Sequence, residues 1–465
     1  MASTKAVNVL EICHVSPSST SPESSTELSL PLIFSDTFNL KFPPVQGIFF
    51  YKLPELTPTF FISVILPKVK HSLSLTLSHF RPLAGNLTWP PNSIKPIITY
   101  NTPDDGIKLT VAESSADFDH LCSEVHGAIE SHPYVPSVSI SDTIASTLAI
   151  QITLFPNKGF CIGHTTNHAV LDGLSVSFFM NAWARICKQL VDENMENPSL
   201  LPEEVTPFFN RTAVQDPEGL DMWYLKFWLG VKSPGSDNNP RSLKPFPLSE
   251  IPQNLVRTTF ELSREDIQKL RKTINSQLDK LGSKEEANQT KPIYLSTYVL
   301  VYAYTMVCML EAKGVNSNVK IKIVIPNYIG NCVSSFDVVV EREDLMKENG
   351  VAYVAKRLTE MIKGLENRSV LEGAKERIPY TDWEKFTQTV RAVGTNRFGM
   401  YGADFGWGKP SNVDVTTIAR TGAFSIMESK DEGGGVEVGL VLKEHEMKLF
   451  GSLFTRVKIS HGLKM

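Results

Sequence analysis

The chain is poor in cysteine: its 465 residues include only six, and no two of them form a Cys-x-x-Cys pair. Isolated cysteines are typical of proteins from a reducing compartment, and they argue against a thiolate zinc site. The first residues also lack the apolar stretch of a secretory signal peptide. The sequence therefore predicts a cytoplasmic protein.

Long hydrophobic runs and an excess of basic charge are also absent. The longest apolar run, residues 298–310, is shorter than the roughly 20 residues that span a bilayer. The net charge is −4 and the pI is about 6.2, which gives no basic face for a nucleic acid. We therefore expect neither a membrane nor a nucleic acid as a partner.

The length of the chain predicts more than one domain, because single hydrophobic cores stop growing near ~250–300 residues. Strand and helix patterns follow each other without a regular βαβ order, which indicates a mixed α/β (α+β) fold. The polar, acidic residues 192–207 are typical of a connection between domains. We predict a first domain over 1–195, a crossover loop over 196–215 and a second domain over 216–465. Part of 370–400 is a candidate for packing on the first domain.

The stretch His164-Thr-Thr-Asn-His168-Ala-Val-Leu-Asp172-Gly lies where a strand pattern ends and a helical pattern begins. Upstream, residues 148–154 and 160–164 alternate on either side of a turn, as in a hairpin of half-buried strands. A junction between strand and helix holds a side chain rigidly, and a histidine pKa near 6.5 suits proton transfer. On spacing alone, however, a structural histidine is the more common case.

Several helices are predicted from apolar periodicity. Pro67 begins one of them, and residues 117–129 are a second candidate. The string Ser263-Arg-Glu-Asp266 resembles a capping box in front of an amphipathic helix. Ser296 or Thr297 begins a helix that is apolar on nearly every face, which predicts a buried position.

Three other motifs suggest chemistry that their surroundings do not support. Asp404-Phe-Gly406 matches the magnesium triad of protein kinases, but no His-Arg-Asp loop or glycine-rich phosphate loop accompanies it. Gly433-Gly-Gly435 lies between acidic residues, which repel phosphate, and therefore indicates a hairpin turn. His164, His168 and Asp172 have metal-ligand spacing, but His164 belongs to the strand, so the three side chains do not share a helical face. We expect no metal site, and a metal hydrolase is the least favoured alternative.

A second string makes the histidine motif specific. Together, His-x-x-x-Asp-Gly near one third of the chain and Asp404-Phe-Gly-Trp-Gly408 near its end resemble the BAHD family of plant acyl-CoA-dependent acyltransferases. Further similar strings extend over nearly the whole chain, namely Leu73-Ser-Leu-Thr-Leu-Ser-His-Phe-Arg-Pro-Leu-Ala-Gly85, Val111-Ala-Glu-Ser114 and Leu295-Ser-Thr-Tyr298. Tyr328-Ile-Gly-Asn-Cys332 is similar to the Tyr-Phe-Gly-Asn-Cys string of the branch that acylates anthocyanins and phenolic glucosides.

The resemblance implies two similar-sized domains of the chloramphenicol-acetyltransferase type with a central channel. His168 is implied to be the general base that takes the proton of an acceptor hydroxyl as it attacks the thioester of acyl-CoA. Because a thiol is a good leaving group, neither a metal nor a covalent intermediate is needed. Asp172 is implied to support the His168 turn through an Arg salt bridge. Asp404 is implied to be structural, although it is sometimes assigned a catalytic role.

The resemblance also implies where the substrates bind. Ser296 and Thr297 match a helix start near the path of CoA, where a plain N-cap is the equally frequent interpretation. Thr395-Asn-Arg-Phe398 matches a segment that lines the pocket. The expected partners are acyl-CoA as co-substrate and a small phenolic glycoside, with no bound cofactor and a monomeric chain.

The similar branch predicts an O-acyltransferase that moves a malonyl group to a hydroxyl of a phenolic, flavonoid or anthocyanin glucoside. A hydroxycinnamoyl-CoA donor is the alternative, because a malonyl carboxylate needs a cation that no motif identifies. The sequence leaves the acceptor and the acylated hydroxyl open.

One departure from the family pattern concerns Asp172. Members usually carry Asp-x-Arg-x-Arg between the strand over residues 319–325 and the Gly-Asn-Cys string, and this sequence lacks that segment. The usual Arg partner of Asp172 is therefore missing, and Lys322 is a candidate replacement. An unpaired buried carboxylate costs several kcal/mol, on the order of 3–5. A catalytically impaired, ligand-binding relative is therefore the second hypothesis.

Overall fold

The computed structural model describes residues 7–19, 26–101, 105–122, 125–192, 201, 205–231, 239–247, 250–281, 294–314, 319–325, 331, 334–366, 373–375, 389–431 and 433–459. The strands in this part of the chain are β1 (Val7–Val15), β2 (Leu28–Pro31), β3 (Val45–Lys52), β4 (Asn86–Thr88), β5 (Ile97–Tyr100), β6 (Ile107–Ser114), β7 (Val125–Gly127), β8 (Ile144–Ser146), β9 (Leu148–Phe155), β10 (Gly159–Thr166), β11 (Leu255–Leu262), β12 (Val319–Ile325), β13 (Ser334–Val340), β14 (Thr389–Val393), β15 (Asn412–Val415), β16 (Phe424–Glu428) and β17 (Val436–Lys443). The helices are α1 (Phe34–Phe38), α2 (Pro58–Phe60), α3 (Leu66–His79), α4 (Arg81–Ala84), α5 (Phe118–Leu121), α6 (Gly173–Asp192), α7 (Leu220–Gly230), α8 (Arg264–Leu281), α9 (Thr297–Lys313), α10 (Arg342–Leu345), α11 (Gly350–Glu366), α12 (Ile418–Thr421), α13 (Glu444–Phe454) and α14 (Arg456–Ile459).

The first sheet has six strands in the order β1-β6-β9-β10-β3-β15, and a small sheet, β2-β5-β4-β8, accompanies it. The predicted hairpin is confirmed, because β9 and β10 pair antiparallel with Leu148 opposite Thr166. The prediction that these strands are half-buried was wrong, since every residue of both strands is buried. The polar positions that suggested a solvent face are covered by other segments: Gln151 Nε2, for example, donates to the Pro133 carbonyl at 2.9 Å.

A helical stretch over Pro58–His79 packs into the core beside this sheet. It consists of α2, a π-helical turn over Phe61–Ile65, and α3. Pro67 lies in the first turn of α3, as predicted, but the helical stretch already starts at Pro58 and passes through the π-helical turn before it. Proline has no N–H to donate, and a wider turn just before it accommodates the missing bond. The stretch is long and apolar enough to cross a membrane by length and composition alone, yet its Val69, Leu73 and Leu77 are fully buried in the first core.

The second sheet has seven strands in the order β13-β12-β14-β16-β17-β11-β7. Side chains of α8, α9, α11 and α13 form a second hydrophobic core with it. The predicted capping box of α8 is confirmed: Ser263 Oγ accepts from the Asp266 N–H at 3.1 Å, and Asp266 Oδ2 accepts from the Ser263 N–H at 3.1 Å. α9 is buried on nearly every face, as predicted, with Ser296 as its N-cap.

Residues 117–129 do not form one helix as predicted. Of the described residues in this range, which exclude 123 and 124, only those of α5 are helical, and β7 pairs with β11 so that His126 lies opposite Arg257. A local helical pattern is a weak preference, and pairing with a distant strand overrides it here.

Each large sheet includes one strand from the other half of the chain. β7 forms an edge of the second sheet, and β15 pairs with β3 at an edge of the first sheet, with Val413 opposite Phe49. β7 and β15 thus connect the two large sheets. Because helices pack with both sheets, the predicted mixed α/β fold class is confirmed. The predicted domain boundaries stay a prediction, because residues 193–200 and 202–204 of the crossover region lie outside the described residues.

Candidate active site

The turn that carries His168 connects the last residue of β10, Thr166, to the first turn of α6. The Asn167 N–H donates to the Thr147 carbonyl at 2.8 Å, and Asn167 Oδ1 accepts from the Ala169 N–H at 3.0 Å. The first bond fixes the turn against the residue between β8 and β9, and the second closes the turn itself. His168 is half-buried, whereas the residues on either side of it are buried. The turn therefore holds the imidazole at the rim of the core, where a substrate could reach it.

The imidazole of His168 contacts an aromatic side chain. Its ring packs edge-on against Phe42, with centroids 5.9 Å apart. Burial lowers the pKa of His168 below its usual value, while the backbone of His168 itself and the side chain of Asn331 act in the opposite direction. A lowered pKa keeps the imidazole neutral at neutral pH, which is the form that accepts a proton.

Asn331 holds the backbone of the same turn. Its Nδ2 donates to the His168 carbonyl oxygen at 2.7 Å and to Asp36 Oδ1 at 3.1 Å. Asn331 and Asp36 are both completely buried. Neither Asp36 nor Phe42 was predicted individually as part of this site. Both lie in the aromatic-rich residues 34–51, whose composition is typical of an irregular strand or a pocket wall.

Asp172 lies at the start of α6 and is buried. Its Oδ1 accepts from the Ser175 N–H at 2.9 Å, and its carbonyl accepts from the Val176 N–H at 3.0 Å. This is the geometry of an N-cap, which satisfies an N–H group that the helix leaves unpaired. The carboxylate therefore stabilises the helix that follows the His168 turn. The side chain of Lys322, the candidate partner, lies outside the described part of the chain.

His164 is buried inside the first sheet, as part of β10, whereas His168 lies on the turn that follows this strand. Its ring occupies the space beside Gly47, where an added Cβ would lie 2.6 Å from His164 Nε2, so only glycine fits there. Burial lowers the pKa of His164 to about 4. Within the described residues, no group of three or more His, Cys, Asp or Glu side chains is placed to hold a metal ion.

Asp404 lies in a tight turn that contacts the C-terminal part of α6. Its Oδ1 accepts from the Gly406 N–H at 2.9 Å and the Gly408 N–H at 3.0 Å, and its Oδ2 lies 2.6 Å from Lys188 Nζ. Burial acts to raise the pKa of Asp404, but the Lys188 ammonium and the two N–H groups outweigh it and lower the pKa.

The position of Lys188 shows how far Asp404 is from the His168 turn. Lys188 follows Asp172 by 188 − 172 = 16 residues on one helix, which is about 24 Å at 1.5 Å per residue. Phe405 meanwhile packs edge-on against Tyr51 and Trp183 in the first core. The structure therefore does not bring Asp404 to His168.

The segment before this second motif does lie beside the His168 turn. The Phe398 ring covers Gly173, where an added Cβ would lie 2.9 Å from it. Ser177 Oγ donates to the Phe398 carbonyl, and Asn181 Nδ2 donates to the Gly399 carbonyl at 3.0 Å. The predicted pocket-lining segment thus packs on the first turns of α6, next to the candidate base.

The predicted CoA-binding residues lie at the start of α9. Ser296 Oγ accepts from the Val299 N–H at 3.2 Å, which is the plain N-cap arrangement. Arg271 lies beside this helix end: its guanidinium donates to the Leu295 carbonyl, and Nη2 donates to Thr297 Oγ1 at 3.4 Å. Arg271 was not predicted as part of the site, because it lies within the amphipathic pattern of α8.

Known proteins resemble the chain over nearly its full length. The family model described as "Transferase family" matches residues 5–456. The chain is 38% identical over 470 residues to phenolic glucoside malonyltransferase 1 of Arabidopsis thaliana, covering 96% of this chain and 97% of that protein. It is 38% identical over 472 residues to malonyl-CoA:anthocyanidin 5-O-glucoside-6''-O-malonyltransferase of Arabidopsis thaliana, covering 97% and 98%. The crystal structure of vinorine synthase has a similar fold, with a TM-score of 0.63 at 22% identity over 96% of each chain.

These matches define an enzyme that transfers acyl groups. The chain belongs to the BAHD family of acyltransferases, and acyl-CoA is its co-substrate. The family resemblance predicted from the two motifs is confirmed.

Proposed function

We propose that the enzyme transfers a malonyl group from malonyl-CoA to a hydroxyl of a phenolic, flavonoid or anthocyanin glucoside, with His168 as general base. The observation that carries the proposal is the pair of malonyltransferase relatives, each 38% identical over nearly the full chain, whose acceptors are phenolic and anthocyanidin glucosides. The half-buried imidazole of His168, with its lowered pKa, supplies the matching chemistry.

In the proposed reaction, neutral His168 accepts the proton of the acceptor hydroxyl while the hydroxyl oxygen attacks the thioester carbonyl carbon. The tetrahedral intermediate then expels the CoA thiolate, which receives the proton from the imidazolium. The products are the ester and free CoA, and His168 returns to its neutral form. General-base catalysis of this kind contributes about 10²–10⁴-fold in rate.

The start of α9 is our proposed contact for the CoA phosphates. The N–H groups at a helix start favour anions, and the guanidinium of Arg271 adds a full positive charge beside Thr297. In the free protein Ser296 Oγ caps the helix, so that Thr297 and Arg271 are the better candidates for direct contact.

We further propose that the enzyme works as a cytoplasmic monomer without a membrane partner. The cysteine pattern supports the compartment: within the described residues Cys13, Cys122, Cys161, Cys187 and Cys308 are all free thiols. Free thiols are typical of a reducing compartment.

The test is an assay of free-thiol release with purified protein, using malonyl-CoA and p-coumaroyl-CoA against a panel of phenolic glucosides. Release that requires malonyl-CoA, the acceptor and His168 would support the proposal. Release only with p-coumaroyl-CoA would establish the alternative donor. Silence with every pair, from protein that melts cooperatively and binds CoA, would favour an impaired relative with the shortened segment before Asn331.

A further inference from the structure

Two residues that are distant in sequence meet behind His168. Asn331 Nδ2 donates to the His168 carbonyl oxygen at 2.7 Å and to Asp36 Oδ1 at 3.1 Å. The backbone N–H of Asn331 donates to the same Asp36 oxygen at 3.2 Å. Asp36 and Asn331 lie 295 residues apart in the chain, and both are fully buried.

The carboxylate of Asp36 determines which way the Asn331 amide faces. A carboxylate oxygen only accepts hydrogen bonds, so the amide must turn its NH2 group towards Asp36. The second hydrogen of that NH2 group then points to the His168 carbonyl. With the amide reversed, its oxygen would face two acceptors, and both bonds would be lost.

The other oxygen of Asp36 is also engaged. Asp36 Oδ2 accepts from the Ile33 N–H at 3.0 Å and lies 3.4 Å from Arg211 Nη1. Burial raises the pKa of Asp36, and Arg211, Ile33 and Asn331 act against that rise. The carboxylate is thus anchored on its own segment before it meets Asn331, which makes it a rigid support.

We propose that Asn331 and Asp36 are positioning residues for the general base: Asp36 orients the Asn331 amide, and Asn331 fixes the His168 carbonyl and thereby the imidazole. The proposal rests on the proposed role of His168 in proton transfer. Neither residue touches the reacting atoms; both act through His168.

The physical reason is that the Asn331 amide holds the backbone that carries the imidazole, with Nδ2 2.7 Å from the His168 carbonyl oxygen. The Asn331 side chain and the His168 backbone also act to raise the pKa of the ring. With that backbone fixed, the ring keeps one position and one tautomer. Without that bond the turn and the ring lose their alignment, and a misplacement of about 1 Å costs on the order of a hundredfold in rate.

The first experiment compares Asn331→Ala with the parent in the thiol-release assay. We expect kcat to fall about tenfold to a hundredfold while KM for acyl-CoA stays within about twofold, because alignment and not binding is lost. Tyr302→Phe is the matched control. It removes a buried hydrogen bond of 3.2 Å to the Val390 carbonyl in the second core and leaves the Asn331–His168 bond intact, so kcat should stay unchanged.

The second experiment needs no substrate. NMR of histidine-labelled protein, with the His168 signals assigned from His168→Ala, reports the tautomer and pKa of the ring. We expect Asn331→Ala to mix the two tautomers and to lower the His168 pKa, and Tyr302→Phe to change neither. An unchanged tautomer and pKa in Asn331→Ala would overturn the proposal, whether or not kcat falls. If the parent transfers no malonyl group, the proposed function fails, and this measurement still decides the positioning role.

Asp36→Asn tests the second half of the pair. If Asp36 acts through Asn331, Asp36→Asn lowers kcat in the parent but lowers it no further in Asn331→Ala. If the two substitutions lowered kcat additively, Asp36 would not act through Asn331. Should Asp36→Asn fail to fold because Arg211 loses its counter-charge, the Asn331→Ala measurements carry the decision.

Discussion

Arg257 Nε lies 2.9 Å from Asp414 Oδ1, and this buried ion pair joins the two large sheets. Arg257 belongs to β11 of the second sheet, and Asp414 to β15 of the first sheet. His126 Nε2 lies 3.6 Å from the other carboxylate oxygen, which also accepts from Ser131 Oγ at 3.3 Å. Burial acts to raise the pKa of Asp414, but Arg257 and His126 outweigh it and lower the pKa.

Asp414→Asn should strongly destabilise the fold, because it leaves the buried guanidinium of Arg257 without its counter-charge. Breaking such a pair costs about 3–5 kcal/mol. Urea unfolding measures the free energy. The control is Asp119→Asn at the exposed pairs with Lys52 and Lys158, which should leave the unfolding free energy nearly unchanged. Equal effects of the two substitutions would contradict a structural role for the Arg257 pair.

Acid should destabilise the protein through two buried histidines. Burial lowers the pKa of His164 to about 4, and burial together with Arg420 and Arg257 lowers the pKa of His132 to about 4. An unfolded histidine titrates near 6.5, so below pH 6.5 the unfolded chain binds protons that the folded chain does not. The free energy of unfolding therefore falls as the pH decreases from 6.5 towards 4.

The variant His164→Gln isolates one of these groups. Each histidine contributes a slope of at most about 1.4 kcal/mol per pH unit, and the variant should lose one such contribution. Unfolding free energies measured between pH 6.5 and 5 give the slopes. Parallel curves for the parent and the variant would show that His164 does not titrate in this way.

Much of the local structure was predictable because its causes are local. The turn between β9 and β10, the capping box of Ser263 and the N-cap Ser296 each depend on a few neighbouring residues. The position of His168 between strand and helix was predictable for the same reason. The burial of both faces of the hairpin was not, because it depends on segments that pack from elsewhere in the chain.

The contacts that complete the site are those that the sequence could not predict. Asp36 and Asn331 meet across 295 residues, and neither residue has a periodic neighbour that indicates a partner. The exchange of β7 and β15 between the sheets likewise depends on pairing with distant strands. Such pairings leave only short patterns, and in residues 117–129 the helical pattern was the stronger one.

Asp172 should act through stability rather than through proton transfer. Its Oδ1 caps α6 at Ser175, and Asn offers an oxygen in the same place, so Asp172→Asn should be milder than Asp172→Ala. Loss of the cap costs about 1 kcal/mol, measured as a lower midpoint in urea. A kinetic loss in Asp172→Asn as large as that of His168→Ala, at unchanged stability, would show that Asp172 takes part in the reaction.

Asp404→Ala should lower stability and leave the chemistry intact. The substitution removes the acceptor of the Gly406 and Gly408 N–H groups and should cost about 2 kcal/mol. Lys188→Met removes only the pair with Asp404, in which Lys188 is 47% exposed, and should cost less than about 1 kcal/mol. Normal kcat per folded molecule in both variants is expected. A kcat loss without a stability loss in Asp404→Ala would give this residue a catalytic role.

His168→Ala should lower kcat at least about a hundredfold while the melting transition stays cooperative, because the variant lacks the base that accepts the hydroxyl proton. The parent should show an acid limb of kcat/KM below pH 6.5, since burial lowers the pKa of His168 and only the neutral ring accepts a proton. Activity therefore falls as the pH decreases through that pKa. His164→Gln, which removes a buried histidine of the same strand-turn unit, should leave the limb in place. Retained turnover in His168→Ala would show that His168 is not the general base. An acid limb of kcat/KM that shifts in His164→Gln would show the same.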